Sequence, residues 1–138
     1  MITPEDLAKS GSEHGMQAAF FCWCAQSGIP ELKWLFAIPN GFFATSGQKA
    51  KMKAEGLKDG VPDIWFPLPV QMSWGESCPG LVIEMKHEKY KNAVKGGLKP
   101  DQIEWKDYLI DIGYRHHVCY NWEEAKNVVL TYLKSYKV

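Results

Sequence analysis

The chain has 138 residues, 46% apolar and 23% charged, with 16 basic and 16 acidic side chains and a formal net charge of zero. That length fits one domain with a sizeable core, and a neutral average leaves nucleic-acid binding open, because binding follows where lysines cluster. The longest apolar run, residues 18–25, is too short to cross a bilayer, and no basic-then-apolar leader is visible, so a soluble, cytoplasmic chain with no membrane partner is expected.

Residues 1–12, with Pro4, Gly11 and two serines, read as a flexible lead-in to a single domain over 13–138. Ser12 is placed to cap a helix from Glu13 to about Ser27, closed by Gly28 and Ile29-Pro30. Met16, Ala19, Phe20, Trp23 and Cys24 recur at helical spacing as its apolar stripe, and Glu13 and Gln17, four apart, share another strip. Leu32 to Ile38 is expected as a strand ended by the turn signal Pro39-Asn40-Gly41. From Thr45 a short basic helix with Lys49, Lys51 and Lys53 ends near Gly56, and Lys58 and the Asp59-Gly60 turn lead into Val61-Pro62-Asp63.

Asp63 to Leu68 and Leu81 to Lys86 read as adjacent strands joined by a Pro-, Ser- and Gly-containing loop, the variable tip of a hairpin. The polar stretch from His87 through Gly97 has no apolar period and reads as a mobile loop. Pro100 and Asp101 open a helix to about Ile112, stopped by Gly113, with Ile103, Tyr108, Leu109 and Ile112 as its core stripe. Tyr114 to Tyr120 is a fourth strand, and Asn121 caps a last helix from Trp122 to about Tyr136. The order α-β-α-β-β-α-β-α predicts an α/β fold, a central mixed β-sheet flanked by α-helices.

The chemistry gathers on the middle pair of strands. Side chains alternate faces along a strand, so Glu84 and Lys86 project to one side and Ile83 and Met85 to the other. Charges on a β-rich run make sense if that side looks into a cleft. Two carboxylates, Asp63 and Glu84, with an adjacent ammonium can hold a divalent cation and steady an attacking water or a developing negative charge, which is the working set of a metal-dependent phosphodiesterase. Cys22, Cys24, Cys78 and Cys119 show no paired CxxC spacing; a zinc site with the four histidines and a set of reduced, buried thiols are the two readings.

Ile38-Pro39-Asn40-Gly41, Gly60-Val61-Pro62-Asp63, Ile83-Glu84-Met85-Lys86 and Gln102-x-x-Trp105 followed by Gly113-Tyr114 occur in that order. The set resembles the virus-type replication-repair nuclease domain, VRR-NUC, of the PD-(D/E)xK superfamily, over about residues 13 to 133. A lone ExK arises often by chance; the ordered set is far more specific. The resemblance implies a restriction-endonuclease-like PD-(D/E)xK fold and a Mg²⁺- or Mn²⁺-dependent endonuclease acting on branched or structured DNA, such as Holliday junctions or flaps. It implies Asp63 and Glu84 as metal ligands with the Met85 carbonyl as a third, and Glu13 reaching the ion, in part through water. Lys86 would orient the attacking water or offset charge on the phosphate, and Gln102 would contact the site or substrate.

DNA-backbone contacts are expected from Lys49, Lys51, Lys53 and Lys58 before Asp63, and from His87, Lys89, Lys91, Lys95 and Lys99 after Lys86. Asn40 is a further candidate, where the glycine beside it lets backbone approach substrate. Such small nuclease modules are expected to act as homodimers, each subunit cutting one strand, with Trp65, Phe66 and Trp74 as candidates for a dimer face. Phage genomes commonly encode stand-alone versions, for which the compartment would be the host cytoplasm. The alternatives are a non-catalytic nucleic-acid-binding module and a restriction-type endonuclease. An intact Asp63/Glu84/Lys86 set argues against the first, and the lack of room for a recognition subdomain against the second.

Overall fold

Short β-branched and aromatic runs alternate along the chain with capped helical stretches, and the computed structural model, which describes residues 1–39 and 44–136, follows that alternation. In chain order come α1 (Pro4–Ala8), α2 (Glu13–Gln26), a 3-10 turn, β1 (Phe36–Ala37), α3 (Ser46–Ala54), β2 (Ile64–Phe66), β3 (Val70–Gln71) and β4 (Ser77–Cys78). Then follow β5 (Leu81–Met85), two further 3-10 turns, α4 (Pro100–Asp111), β6 (Arg115–Cys119) and α5 (Trp122–Tyr136).

The main sheet has the order β1-β2-β5-β6, antiparallel except for the parallel β5–β6 pair. Parallel neighbours need a long crossover, which α4 supplies. β5 lies inside the sheet with all five residues buried, so its Leu-Val-Ile run is explained by cover on both faces. Phe20 of α2, Ile64 and Phe66 of β2, Leu81 and Ile83 of β5 and Val129 of α5 are among the largest fully buried side chains of the core. The Tyr132 hydroxyl, buried there, donates to the Leu68 carbonyl across 2.7 Å.

Most helix ends fall where the caps predict. Ser12 accepts the Gly15 amide across 3.0 Å, Thr45 and Gln48 close a reciprocal capping box, and Asn121 accepts the Glu124 amide across 2.8 Å. No described helix is long and apolar enough to cross a membrane.

Five expectations differ. Residues 1–12, expected as a flexible lead-in, contain α1, capped by Thr3, with Pro4 buried and the Ile2 carbonyl held by Gln26 Nε2 across 2.8 Å. Of the strand expected over Leu32 to Ile38, only Phe36–Ala37 forms; Pro30, favoured in a first helical turn, starts a 3-10 turn through Trp34. The loop after β2 carries its own small antiparallel ribbon, β3–β4, whose Val70 and Cys78 reach the core. The stretch after Lys86 is tied down where the Tyr120 hydroxyl donates to the Gly96 carbonyl across 2.9 Å. On α4 only Leu109 is buried, while Tyr108, Ile110 and Ile112 stay exposed, because the helix covers little more than the edge strand β6.

The proposed dimer-face aromatics separate as well. Phe66 is a core residue, and Trp65 is half-buried edge-on against Tyr114 with its indole N–H on the Pro62 carbonyl. Trp74, on the β3–β4 turn, is exposed.

Candidate active site

Strand register creates the site. Ile64 stands opposite Ile83 and Trp65 opposite Val82, so one step beyond, Asp63 faces Glu84. Directly opposed residues of an antiparallel pair hold their Cβ atoms about 4.5–5.5 Å apart. The two carboxyl groups crowd each other, and Asp63 Oδ2 accepts the Met85 amide across 2.8 Å.

Glu84 is 3% exposed, and its carboxyl is held far above the ordinary range. Burial is the largest cause, followed by the negative charge and hydrogen bond of Asp63; the Lys86 ammonium works in the opposite direction. Without a cation, burial and the neighbouring charge favour the protonated form of Glu84. Gln102, in the first turn of α4, fixes the other side of the site. Its Nε2 donates to Glu84 Oε1 across 3.0 Å, and its Oε1 accepts the Lys99 amide across 2.8 Å.

Lys86 is only 8% exposed, and its amide donates to the Cys119 carbonyl across 3.0 Å, so it belongs to the interior of the sheet and not to a solvated edge. These groups open on a cleft of about 270 Å³. α2 contributes Glu13, His14 and Gln17 to its walls; β2, β5 and their ends contribute Asp63, Glu84, Met85 and Lys86. Lys49 of α3 and Lys99 with Gln102 at the start of α4 complete it.

Of the expected DNA-contacting lysines, Lys49 and Lys99 thus line the cleft, and the others stand elsewhere. Lys53 pairs with Asp59 at 2.9 Å, Lys91 pairs with Glu124, and Lys89 lies over the Tyr90 ring. Lys58 lines a neighbouring cavity, and Lys51 and Lys95 are exposed outside the cleft. His87 Nδ1 accepts the Lys89 amide across 3.0 Å, so this histidine organises its own turn. Asn40 lies outside the described residues. His14 and Gln17 are the cleft residues that sequence weighed least. Gln17 was legible as the i+4 neighbour of Glu13, whereas His14, a single histidine beside Glu13, carried no signal of its own.

The donor set suits a hard divalent cation. It combines two crowded carboxyl groups with the amide side chains of Gln17 and Gln102 in the same cleft. Among the described residues no three His, Cys, Asp or Glu side chains are already gathered as a cage. As placed, Asp63 and Glu84 would be the charged ligands, with water filling much of the shell, a pattern magnesium favours.

Comparison with known proteins bears on the family and the fold. A solved structure described as a VRR_NUC domain protein superposes with a TM-score of 0.67 at 25% sequence identity, covering 89% of this chain and 88% of that chain. No curated protein matches the sequence. The family model of the VRR-NUC domain matches residues 7–122, taking in α2, the Asp63/Glu84 strand pair and the start of α5. A match of that extent, on a mixed sheet with helices on its faces, means that the chain belongs to the VRR-NUC family of nucleases, on the PD-(D/E)xK fold.

Proposed function

We propose that the chain is a Mg²⁺- or Mn²⁺-dependent DNA endonuclease that hydrolyses phosphodiester bonds in structured or branched duplexes during replication, recombination or repair. The observation that carries this reading is the opposition of Asp63 and Glu84 across β2 and β5, with Lys86 buried beside them at the base of a lysine-rimmed cleft.

Asp63 and Glu84, with the Met85 carbonyl, would hold the ion, and Glu13 would reach it through water. When bound, a divalent cation supplies Lewis acidity and neutralises charge on the phosphate oxygens. Lys86 presents its ammonium to the same space, where it orients the attacking water and offsets the charge that grows on phosphorus-bound oxygens. A P–O bond forms to water as a P–O ester bond breaks, leaving a phosphomonoester and a hydroxyl. Gln102 keeps Glu84 from rotating out of this geometry, and Lys49 and Lys99 draw the DNA backbone over the cleft.

A single module of this size grips DNA weakly, which favours a homodimer cutting one strand per subunit. Trp74 is the exposed aromatic left for a subunit contact. The four free thiols suit a reducing cytoplasm, the host's if the protein is phage-encoded.

The test is cleavage of labelled duplex, single-stranded, flap and four-way-junction DNA in Mg²⁺, Mn²⁺, Ca²⁺ or EDTA, with Glu84→Ala and Lys86→Ala alongside. Metal-dependent cutting lost in both variants is expected, fastest on a branched substrate. Junction binding without cutting under any metal would replace the nuclease with a binding module on the same fold.

A further inference from the structure

Beside the cleft lies a second cavity, of about 480 Å³, lined by Lys58, Asp59, Asp101, Glu104, Trp105 and Tyr108. On a helix, residues three and four apart share a face, so Asp101, Glu104, Trp105 and Tyr108 form one stripe of α4, next to the strip that carries Gln102. The Trp105 and Tyr108 rings meet edge to face at 6.5 Å, and Tyr108 is 57% exposed, so flat ring surface is left open.

The opposite wall is the turn leading to Asp63. Gly60 has φ +84°, and a Cβ there would fall 2.6 Å from the Asp101 carbonyl carbon, so this turn lies directly on the first turn of α4. The Asp59 carboxylate is held below its ordinary range by Lys53 first, and more weakly by Lys49 and Lys99, two lysines of the cleft. Cleft and cavity are neighbours along the start of α4, where Asp101 lines the one and Gln102 the other.

The chemistry of the cavity narrows the occupant. Asp59 is paired with Lys53, and Asp101 Oδ1 accepts the Gln102 amide across 2.9 Å. Among the described residues Glu104 makes no ion pair, which leaves it as a hydrogen-bond acceptor within reach of an aromatic floor. Lys58 is the lysine of the lining, and Lys49 and Lys99 stand in the neighbouring cleft. A nucleotide whose phosphate lies against those lysines offers its base to the two rings and its amino or imino hydrogens to Glu104. A base stacked within a duplex presents no free face to the rings.

We infer that this cavity takes an unstacked nucleobase from the strand whose phosphodiester lies in the cleft. The inference rests on the nuclease reading and deepens it, because it makes unpaired or loosely stacked nucleotides next to the cut part of what the site recognises.

The test uses the full chain in EDTA at fixed salt, with binding followed by fluorescence anisotropy for a short single strand, its blunt duplex and a single strand with one abasic position. Tyr108→Ala, on an exposed side chain, should weaken single-strand binding about 5- to 100-fold and leave the duplex unchanged, while Tyr108→Phe retains binding. 2-Aminopurine placed beside the cleavage position should change its fluorescence on binding wild type and not on binding Tyr108→Ala. Equal binding of single strand and duplex by wild type and Tyr108→Ala, with a silent 2-aminopurine and metal-dependent cleavage intact, would overturn this inference alone. A wild type that neither binds nor cuts any DNA would remove the nuclease reading beneath it.

Discussion

Gln102 holds Glu84 and its own helix at once: its Nε2 donates to Glu84 Oε1 across 3.0 Å while its Oε1 accepts the Lys99 amide across 2.8 Å. The two bonds are separable by substitution. Gln102→Glu keeps an acceptor for the Lys99 amide, so α4 stays capped, but it sets a carboxylate against Glu84. Cleavage should fall by about 10- to 100-fold with little change in Tm, whereas Gln102→Ala should lower both, the lost hydrogen bonds being worth about 1–3 kcal/mol. Initial cleavage rates beside thermal melts of the two variants decide it.

Glu84 and Asp63 carry the metal prediction. Burial and the Asp63 charge both disfavour an ionised Glu84, so a cation that offsets that charge should stabilise the fold. At about 100 times its Kd a ligand adds about 2.7 kcal/mol. Thermal melts in EDTA and in Mn²⁺ should show a rise in Tm for wild type and almost none for Glu84→Gln. A rise of equal size in the variant would move the metal away from Glu84.

His116 supplies a pH dependence. Both ring nitrogens are buried without a hydrogen-bond partner, and the imidazole is pushed down to about 4, by burial first and then by the charges of Lys106 and His117, against Asp107. A depressed histidine is neutral in the fold and charges more readily once unfolded. Its contribution is therefore present above about 6.5, the unfolded value, and lost as pH falls toward the folded value. His116→Phe should flatten the acid-side loss of stability between those pH values by about 1–2 kcal/mol, a figure discounted for the ring's residual solvent contact. Urea midpoints of both proteins at pH 7 and at pH 5 test it.

Tyr132 and Leu68 offer a purely structural prediction. The buried hydroxyl donates to the Leu68 carbonyl across 2.7 Å, linking α5 to the end of β2's strand run. Tyr132→Phe leaves that carbonyl unsatisfied and should cost about 1–3 kcal/mol, read from equilibrium denaturation. Cleavage, normalised to folded protein, should not change.

The sheet and most helices were legible because their signals are local. The Ser12 and Asn121 caps and the terminal Gly113 mark boundaries that tertiary packing did not override. The Glu84-x-Lys86 face was legible too, since period-two alternation survives in a fully buried strand. What sequence could not show is long-range. The Lys99 and Lys49 side chains converge on the cleft only because α3 and the start of α4 are folded onto its rim, while Lys53 and Lys91, similar in sequence, are spent on Asp59 and Glu124. Tyr108 and Ile112 fit a core period on paper, yet α4 covers a sheet edge and needs only Leu109. The role of Gln102 as a clamp on Glu84 depends on an 18-residue separation that no local pattern records.

The β3–β4 ribbon lies between the two strands that carry Asp63 and Glu84, yet it takes no part in their register, which is set by Ile64 against Ile83. The pairing of the two carboxylates is therefore indifferent to how many residues separate its halves. Insertions or a grafted peptide at the exposed Trp74 turn should be carried without loss of chemistry. A single residue added between Ile64 and Phe66, with Phe66 held opposite Leu81, would shift Ile64 and Asp63 by one position, turn them to the opposite face and part the two carboxylates.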